Sequence, residues 1–252
     1  MTDVLLNTLE NGIRTISLNR PEKLNAVNRD VTAAVEQAFR EANDDEDTRV
    51  IVFRGEGRAF CAGYDLASHG DGERSPMEVR IGVDRLQAIT RHIVLGNKVV
   101  IGAIQGWAVG AGLEWAINCD LSVWGESARA FFPELEWGLF VTGGVTAILP
   151  RNAGLSNTKE LILLREKHSA ARLKELGLAW RVVPDDQLYE EAYAVAAKIA
   201  ELPPLAVLDF KKTINRAAYL DVESAMALET EATVRGSAAA EAAERISAFK
   251  KK

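Results

Sequence analysis

The stretch Gly106–Asp120 reads GWAVGAGLEWAINCD and places three glycines directly before a run that is apolar apart from Glu114. A buried-strand pattern, VVIGAI at 99–104, precedes it, and another, LSVW at 121–124, follows. A glycine cluster costs conformational entropy on folding, so it marks positive φ or a backbone that another group approaches closely. The pattern predicts a tight packing corner or an active site, with Glu114 inside it.

The length, net charge and apolar runs of the chain limit the class of protein. A chain of 252 residues fits one large domain or a domain with a smaller appendage. Its net charge of -6 gives no reason for binding nucleic acid or an anionic membrane. The start, MTDVLLNTLENG, has no basic leader or apolar core, and no later run approaches the roughly 20 apolar residues that span a bilayer. We therefore expect a cytoplasmic protein.

Cysteine and histidine give no sign of a metal site. Cys61 and Cys119 both adjoin apolar segments, and we expect them to be buried, reduced thiols. His69, His92 and His168 lack the spacing of metal ligands, and we expect them to be solvated or capping residues.

Strand and helix patterns alternate in the first part of the chain, which favours an α/β core. The predicted elements are a hairpin over 4–9 and 13–18, a helix over 28–43, a strand over 49–54, a mobile loop over 68–76, and a helix to about residue 95. From residue 155 helical patterns dominate, over 155–164, 170–176, 187–200, 205–219 and an Ala-rich run at 221–249. We predict a core over 1–200 and a helical subdomain over 201–252, with a hinge at Pro203-Pro204.

A second glycine loop, AFCAGYDL at 59–66, follows the strand pattern RVIVFR. Two such loops side by side would aim two backbone N–H groups at one point, as in an oxyanion hole. The loop after 99–104 also begins a helix, whose N-terminus adds about half a positive charge. Phosphate binding is the rival reading, but the chain has neither G-x-G-x-x-G nor G-K-[ST]. The loops therefore favour stabilisation of an enolate.

Two more carboxylates follow in FFPELEWG at 131–138. Glu134 comes after a proline and two phenylalanines, and an apolar wall there would raise its pKa into the range useful for acid–base chemistry. We expect Glu136 to be solvated. Structural roles stay open for both candidates: Glu114 as a buried glutamate satisfied by backbone donors, and Glu134 as a carboxylate at a helix start.

Five ordered segments carry a resemblance to a known family. They are LNRPEKLNA, RVIVFRGEGRAFCAGYDL, VVIGAIQGWAVGAGLEWAINCDL, FFPELEWGL and KELGLAWRVVP. In this order and spacing the chain resembles the enoyl-CoA hydratase/isomerase (crotonase) family nearly end to end. The resemblance implies a crotonase-like α/β spiral of ββα units with a C-terminal helical subdomain that forms trimers, and an assembly that is a homotrimer or a dimer of trimers.

The resemblance also implies site roles. The backbone N–H groups of Tyr64 and Ala111 match the oxyanion-hole donors. Glu114 and Glu134 match the two glutamates that hold water over the β-carbon of an α,β-unsaturated acyl-CoA thioester. Coenzyme A enters as the carrier part of the substrate, and no other cofactor and no metal is implied. The expected substrate contacts are Lys23, Ala62, Asp65, Leu66, Gly110, Trp137, Phe140 and Thr142.

Several features leave alternatives open. The sequence FVT at 140–142 replaces the Pro-Gly type of run common in the family, and together with Trp107, Trp115 and Trp137 it could reshape the acyl pocket. Ala111 stands where glycine is common, which is acceptable if its φ is negative. An isomerase, hydrolase or lyase of the same fold remains an alternative, as does a non-catalytic RNA-associated protein, which the net charge disfavours. The sequence does not identify the acyl group.

Overall fold

The computed structural model describes residues 3–68 and 75–250. Most of the predicted mobile loop at 68–76 lies outside these ranges. The strands are β1 (Leu5–Glu10), β2 (Ile13–Leu18), β3 (Val50–Gly55), β4 (Val99–Ile104), β5 (Trp107–Val109), β6 (Leu121–Gly125), β7 (Arg129–Phe131), β8 (His168–Ser169) and β9 (Arg181–Val183). The helices are α1 (Arg29–Asp44), α2 (Pro76–Val94), α3 (Ala111–Asn118), α4 (Val145–Asn152), α5 (Leu155–Leu164), α6 (Ala170–Glu175), α7 (Leu188–Ala200), α8 (Pro204–Ala217), α9 (Val222–Ser237) and α10 (Ala240–Phe249).

The N-terminal elements form as the sequence predicts. Asn11 and Gly12 have φ of 51° and 76°, so a two-residue turn joins β1 and β2 and pairs Glu10 with Ile13. The side chain of Asn28 accepts a hydrogen bond of 2.9 Å from the N–H of Val31 and caps α1. The predicted hairpin and the predicted first helix are therefore confirmed.

Within the described residues the strands form two sheets. The larger has the order β1-β2-β3-β4-β6-β9 and is parallel except for the first pair, and the smaller has the order β5-β7-β8. Ile51 and Phe53 of β3 face the core cluster that includes α1, α2 and α3, whereas Val50 and Val52 face the cluster with α7. Helices thus cover both faces of the central strands, which explains their uninterrupted apolar sequences.

The two glycine loops lie side by side, as predicted. The N–H of Cys61 donates to the carbonyl of Trp107, and the N–H of Val109 donates to the carbonyl of Cys61, each at 2.9 Å. A Cβ atom at Gly112 would lie 2.5 Å from the carbonyl oxygen of Cys61, and one at Gly63 would lie 2.6 Å from that of Val109. These contacts leave no room for side chains, so the glycines allow the loops to touch.

Some elements differ from the sequence prediction. The strands β5, β7 and β8 were not expected, because two or three residues are too few to show a strand period. Helix α4 was also not expected, and it contains Pro150, which argues against a helix in sequence. The predicted run over 221–249 is two helices, α9 and α10, separated at Ala238 and Ala239.

The cysteine prediction is confirmed, and the histidine prediction is wrong for one residue. Cys61 and Cys119 are buried free thiols, and burial raises the pKa of Cys61 to about 12. His168 is buried rather than solvated, because β8 pairs it with Ala130 in the smaller sheet. His69 lies outside the described residues.

The chain after α7 is attached to the sheet by polar contacts. Lys211 of α8 is buried, and its Nζ donates to the carbonyls of Ile93 and Lys98 and to Asp120 at 2.6–2.7 Å. Helix α8 begins at Pro204, where the double proline predicted a break. The division into a core over 1–200 and a subdomain over 201–252 stays a prediction.

Candidate active site

Gly110 and Ala111 form the junction between β5 and α3. Gly110 has φ +50°, whereas Ala111 is not among the residues with positive φ, so the alanine is unstrained there. Ala111 is the first residue of α3, and amides in the first turn of a helix have no acceptor within that helix. Its N–H is therefore available in the way an oxyanion donor needs.

The backbone around Tyr64 is held by Val27. The N–H of Val27 donates to the carbonyl of Gly63 at 2.7 Å, and the N–H of Asp65 donates to the carbonyl of Val27 at 2.9 Å. Tyr64 lies between these two bonds in a β-bridge with Val27. The contact of Gly63 with Val109 brings this loop against the start of α3. The two predicted oxyanion donors thus belong to adjacent, fixed backbone segments.

Glu114 lies in the first turn of α3 and is only 2% exposed. Its Oε1 accepts the N–H of Thr142 at 2.8 Å, and its Oε2 accepts the N–H of Gly143 at 3.0 Å. Burial raises the pKa of Glu114, while these two N–H donors and the Thr142 hydroxyl act to lower it. The donors hold the carboxylate in one orientation.

Glu134 begins the 3-10 turn Glu134–Trp137 and lies against Gly110. A Cβ atom at Gly110 would be 2.5 Å from its Oε1. Its Oε2 is buried and has no hydrogen-bond partner among the described residues. Burial raises the pKa of Glu134 to about 7, and the charge of Glu114 adds to this effect. A carboxyl group of this kind can give or take a proton near neutral pH.

Several expected substrate contacts lie in or beside the glycine loops, and the resemblance places Lys23 among them on the coenzyme side. Lys23 is exposed in the turn before Leu24, whose carbonyl accepts the N–H of Ala62 at 2.9 Å. Asp65 forms an ion pair with Arg20 at 3.1 Å. The remaining two residues of this group differ in burial: Leu66 is exposed and Gly110 is buried.

The aromatic residues proposed for the acyl pocket lie in different places. Trp137 and Phe140 are 57% and 66% exposed. Trp115 is in the core, where its ring is tilted against Phe53 at 5.9 Å. Trp107 packs edge-on against Phe131 in the smaller sheet, 6.3 Å between ring centroids. Thr142 contacts Glu114 through its N–H and its hydroxyl. Glu136, predicted to be solvated, is exposed.

Sequence reasoning missed a polar cluster behind Glu114. Asn118 donates to the carbonyl of Gly143 at 2.8 Å and to the Thr90 hydroxyl at 3.2 Å. The one available signal was an asparagine four residues after Glu114 in an otherwise apolar helix, which places both on one helix face.

The described residues were also considered for metal ligands and for membrane-spanning helices. No cluster of His, Cys, Asp and Glu suited to a metal ion occurs within residues 3–68 and 75–250. In the same part of the chain, every helix is too short or too polar to cross a bilayer.

Comparison with known proteins defines the family. The family described as enoyl-CoA hydratase/isomerase matches residues 8–252. The 1,2-epoxyphenylacetyl-CoA isomerase of Escherichia coli (strain K12) is 31% identical over 99% of this chain and 96% of its own. The short-chain-enoyl-CoA hydratase of Clostridium acetobutylicum is 31% identical over 88% of this chain and 85% of its own. The crystal structure of enoyl-CoA hydratase from Mycobacterium smegmatis superposes with a TM-score of 0.92 at 34% identity. The superposition covers 98% of this chain and 96% of the other.

These matches agree with the α/β fold of two sheets and covering helices described above. The chain belongs to the enoyl-CoA hydratase/isomerase family. Its fold is the crotonase-like spiral with C-terminal helices that the sequence resemblance implied.

Proposed function

We propose that the protein is an enoyl-CoA hydratase-type enzyme, which adds water to an α,β-unsaturated acyl-CoA thioester or removes it in the reverse reaction. The observation that carries this proposal is the contrast between two neighbouring carboxyl groups. Glu114 is held by backbone donors, whereas Glu134 has a pKa of about 7 and a buried oxygen without a partner among the described residues. Hydration requires a base for water and a proton source for carbon, and this pair supplies both.

In the proposed reaction, Glu114 accepts a proton from water as the water oxygen bonds to the β-carbon. The π electrons move toward the thioester, and the N–H groups of Tyr64 and Ala111 stabilise the enolate oxygen. Glu134 then gives its proton to the α-carbon. Two close carboxyl groups in a buried site favour one shared proton, because both cannot be charged cheaply. Their total charge is thus the same before and after the reaction.

Substrate contacts follow from the loops. The coenzyme end lies along the first loop, with Lys23 as an exposed cation and Ala62, Asp65, Leu66 and Gly110 as neighbouring positions. The acyl group extends toward Thr142, with Trp137 and Phe140 at the rim, where their exposed rings can cover apolar substrate atoms.

The reaction is tested by mass spectrometry in ¹⁸O-labelled water. The enzyme is mixed with crotonyl-CoA and with bulkier enoyl-CoA thioesters. A 3-hydroxyacyl-CoA product that carries the label supports the proposal. Full recovery of each unsaturated thioester, despite measurable binding, would contradict it.

Double-bond isomerisation is a second candidate, favoured by a specific observation. Both oxygens of Glu114 already accept hydrogen bonds, so Glu134 is the better placed group for proton shuttling between two carbons. An isomerase would move the double bond of a 3-enoyl-CoA without taking up ¹⁸O, and its turnover would survive Glu114→Gln.

For assembly and location we propose a homotrimer or dimer of trimers in the cytoplasm. The support for assembly is the apolar surface left on the last helices, with Phe210, Val222, Val234 and Phe249 all exposed. Light scattering on the purified protein tests it, and a monomeric mass across the concentration range would contradict it. Cell fractionation tests the location, and recovery outside the cytoplasmic fraction would contradict it.

A further inference from the structure

Helix α3 holds Gly143 from both sides through two residues one turn apart. Glu114 accepts the N–H of Gly143 at 3.0 Å, and Asn118 donates to the carbonyl of the same residue at 2.8 Å. Residues four apart project from one helix face, so the pair meets the segment Thr142–Gly143 together. A Cβ atom at Gly143 would lie 2.7 Å from Glu114 Oε2, which shows how closely the segment is pressed against the carboxylate.

Thr90 of α2 completes the contact. Its hydroxyl accepts a hydrogen bond of 3.2 Å from the Asn118 amide. The same hydroxyl donates a hydrogen bond of 3.3 Å to the Gly143 carbonyl. Asn118 is 5% exposed, so water does not replace these bonds. The carbonyl oxygen of Gly143 can only accept hydrogen bonds. The Asn118 amide is therefore oriented with its nitrogen toward Gly143.

The two ends of the Asn118 amide differ in their contacts. Its Oδ1 is buried and has no hydrogen-bond partner among the described residues, and an unsatisfied buried polar atom costs about 1–3 kcal/mol. Its nitrogen donates to Gly143 and to Thr90. The amide is therefore kept in this mostly apolar helix at a cost from its oxygen, and its nitrogen is the group that acts on the segment.

We propose that Asn118 and Thr90 are positioning residues, which fix the Thr142–Gly143 segment so that its N–H groups orient the carboxylate of Glu114. The role in turnover rests on the proposed function, whereas the role in holding the carboxylate does not. Without Asn118 and Thr90, the carbonyl of Gly143 loses its donors and the segment loosens. The N–H donors that favour the charged form of Glu114 then weaken, so its pKa rises further.

Glu134, in the 3-10 turn Glu134–Trp137, is a charged group coupled to Glu114. Burial raises the pKa of Glu134, and the charge of Glu114 adds to this effect. The ion pair of Asp120 with Lys211 lies beyond the C-terminal end of α3. Neither group changes in the variants proposed below, so a change in the titration of Glu114 reports on the segment.

The direct test is a titration of ¹³C-labelled glutamate carboxyl groups by NMR, with the Glu114 signal assigned by its loss in Glu114→Gln. We expect Asn118→Leu to move this titration to higher pH and Thr90→Val to move it in the same direction by less. Thr90→Ser keeps the hydroxyl and should restore the wild-type titration. The matched control is Asn43→Leu, which removes another buried asparagine. The Asn43 side chain bonds to the backbone of His92, Asn97 and Lys98, far along the chain.

Turnover provides the second readout. We expect Asn118→Leu to lower kcat about 10- to 100-fold with KM nearly unchanged, because a small displacement of a catalytic group is costly. Asn43→Leu should lower thermal stability without a change in kcat of the folded enzyme.

An unchanged Glu114 titration in both Asn118→Leu and Thr90→Val would overturn the proposal. If Asn118→Leu does not fold, the comparison of Thr90→Val with Thr90→Ser decides. A wild-type protein that hydrates nothing would refute the proposed function, yet the titration would still test the positioning role.

Discussion

At the scale of single residues, two identical side chains have different properties because their surroundings differ. Glu114 is almost fully buried but accepts two backbone N–H bonds. Glu134 is less buried, yet its Oε2 has no partner among the described residues, and its pKa rises to about 7. Burial raises the pKa of both glutamates, and at Glu114 the Thr142 and Gly143 N–H donors act against that rise.

The raised pKa of Glu134 predicts a stability effect. The buried carboxyl group is protonated in the folded protein below about pH 7, whereas in the unfolded chain it ionises from its ordinary value of 4.5. Its contribution to stability is therefore greatest at low pH and is lost as pH rises from 4.5 through 7. Glu134→Gln carries no charge, so it should be more stable than wild type by about 3 kcal/mol at pH 8 and by much less at pH 5.

Urea unfolding at both pH values measures this difference. Glu136→Gln is the matched control, because Glu136 is exposed. An equal difference between Glu134→Gln and wild type at pH 5 and pH 8 would refute the raised pKa.

At the scale of elements, the central feature is the junction of β5 with α3. Most of it could be predicted from sequence, because glycines after a buried strand and an apolar run with one glutamate are local signals. The hairpin at Asn11-Gly12 and the cap at Asn28 were predictable for the same reason. Local signals need no knowledge of distant residues.

The partners of the glutamates could not be predicted in this way. Asn118 and Thr90 meet Gly143 only after α2, α3 and the segment before α4 have packed. The local sequence places Asn118 on the helix face of Glu114 but does not identify its partners. The small sheet was missed because its strands are short and pair across long stretches of chain. The exposure of Trp137 and the burial of Trp115 likewise depend on tertiary packing.

A substitution at the junction should affect both stability and site geometry. Gly110→Ala introduces a Cβ atom at φ +50°, 2.5 Å from Glu134 Oε1. We expect a loss of about 1–3 kcal/mol in the free energy of unfolding from the strain, and a fall in kcat beyond what the unfolded fraction explains, because Glu134 must move.

Gly82→Ala is the matched control. Gly82 lies in α2 with φ outside the positive range and no atom within 4 Å of the added Cβ. Alanine there should stabilise the protein by up to about 1 kcal/mol and leave kcat unchanged. A Gly110→Ala enzyme with wild-type stability and kcat would show that the junction is not constrained.

At the scale of the whole molecule, polar side chains attach the C-terminal helices. Besides the Lys211 contacts, Arg151 donates to the carbonyl of Ala218 at 2.7 Å, and Asn215 donates to that of Val94 at 2.7 Å. Asp209 of α8 is buried and pairs with Arg235 of α9. A cavity of about 690 Å³, lined mainly by apolar residues, lies beneath α8. Polar bonds of different burial therefore attach α8 to the rest of the chain, and those of the buried Lys211 join it to the sheet.

Removal of one partner of the buried pair should be costly. Lys211→Met leaves the half-buried carboxylate of Asp120 with the Val100 N–H but without its ion-pair partner. We expect a loss of about 3 kcal/mol in the free energy of unfolding. Combining it with Asp120→Asn removes the uncompensated charge and should recover part of the loss. The exposed Lys198→Met should stay within about 0.5 kcal/mol of wild type. Urea denaturation measures the stability of the three variants. A Lys211→Met protein as stable as Lys198→Met would show that the Lys211–Asp120 ion pair does not stabilise the fold.

Hydration by Glu114 and Glu134 is tested most directly by the ultraviolet absorbance of the enoyl thioester, which hydration removes. Crotonyl-CoA and bulkier enoyl-CoAs are mixed with wild type, Glu114→Gln and Glu134→Gln. Each glutamate acts in a separate proton transfer, so we predict turnover by wild type and a fall of about 10²- to 10⁴-fold in each variant. Wild-type protein that binds the thioesters without loss of absorbance, or a variant that keeps full turnover, would contradict hydration by two glutamates.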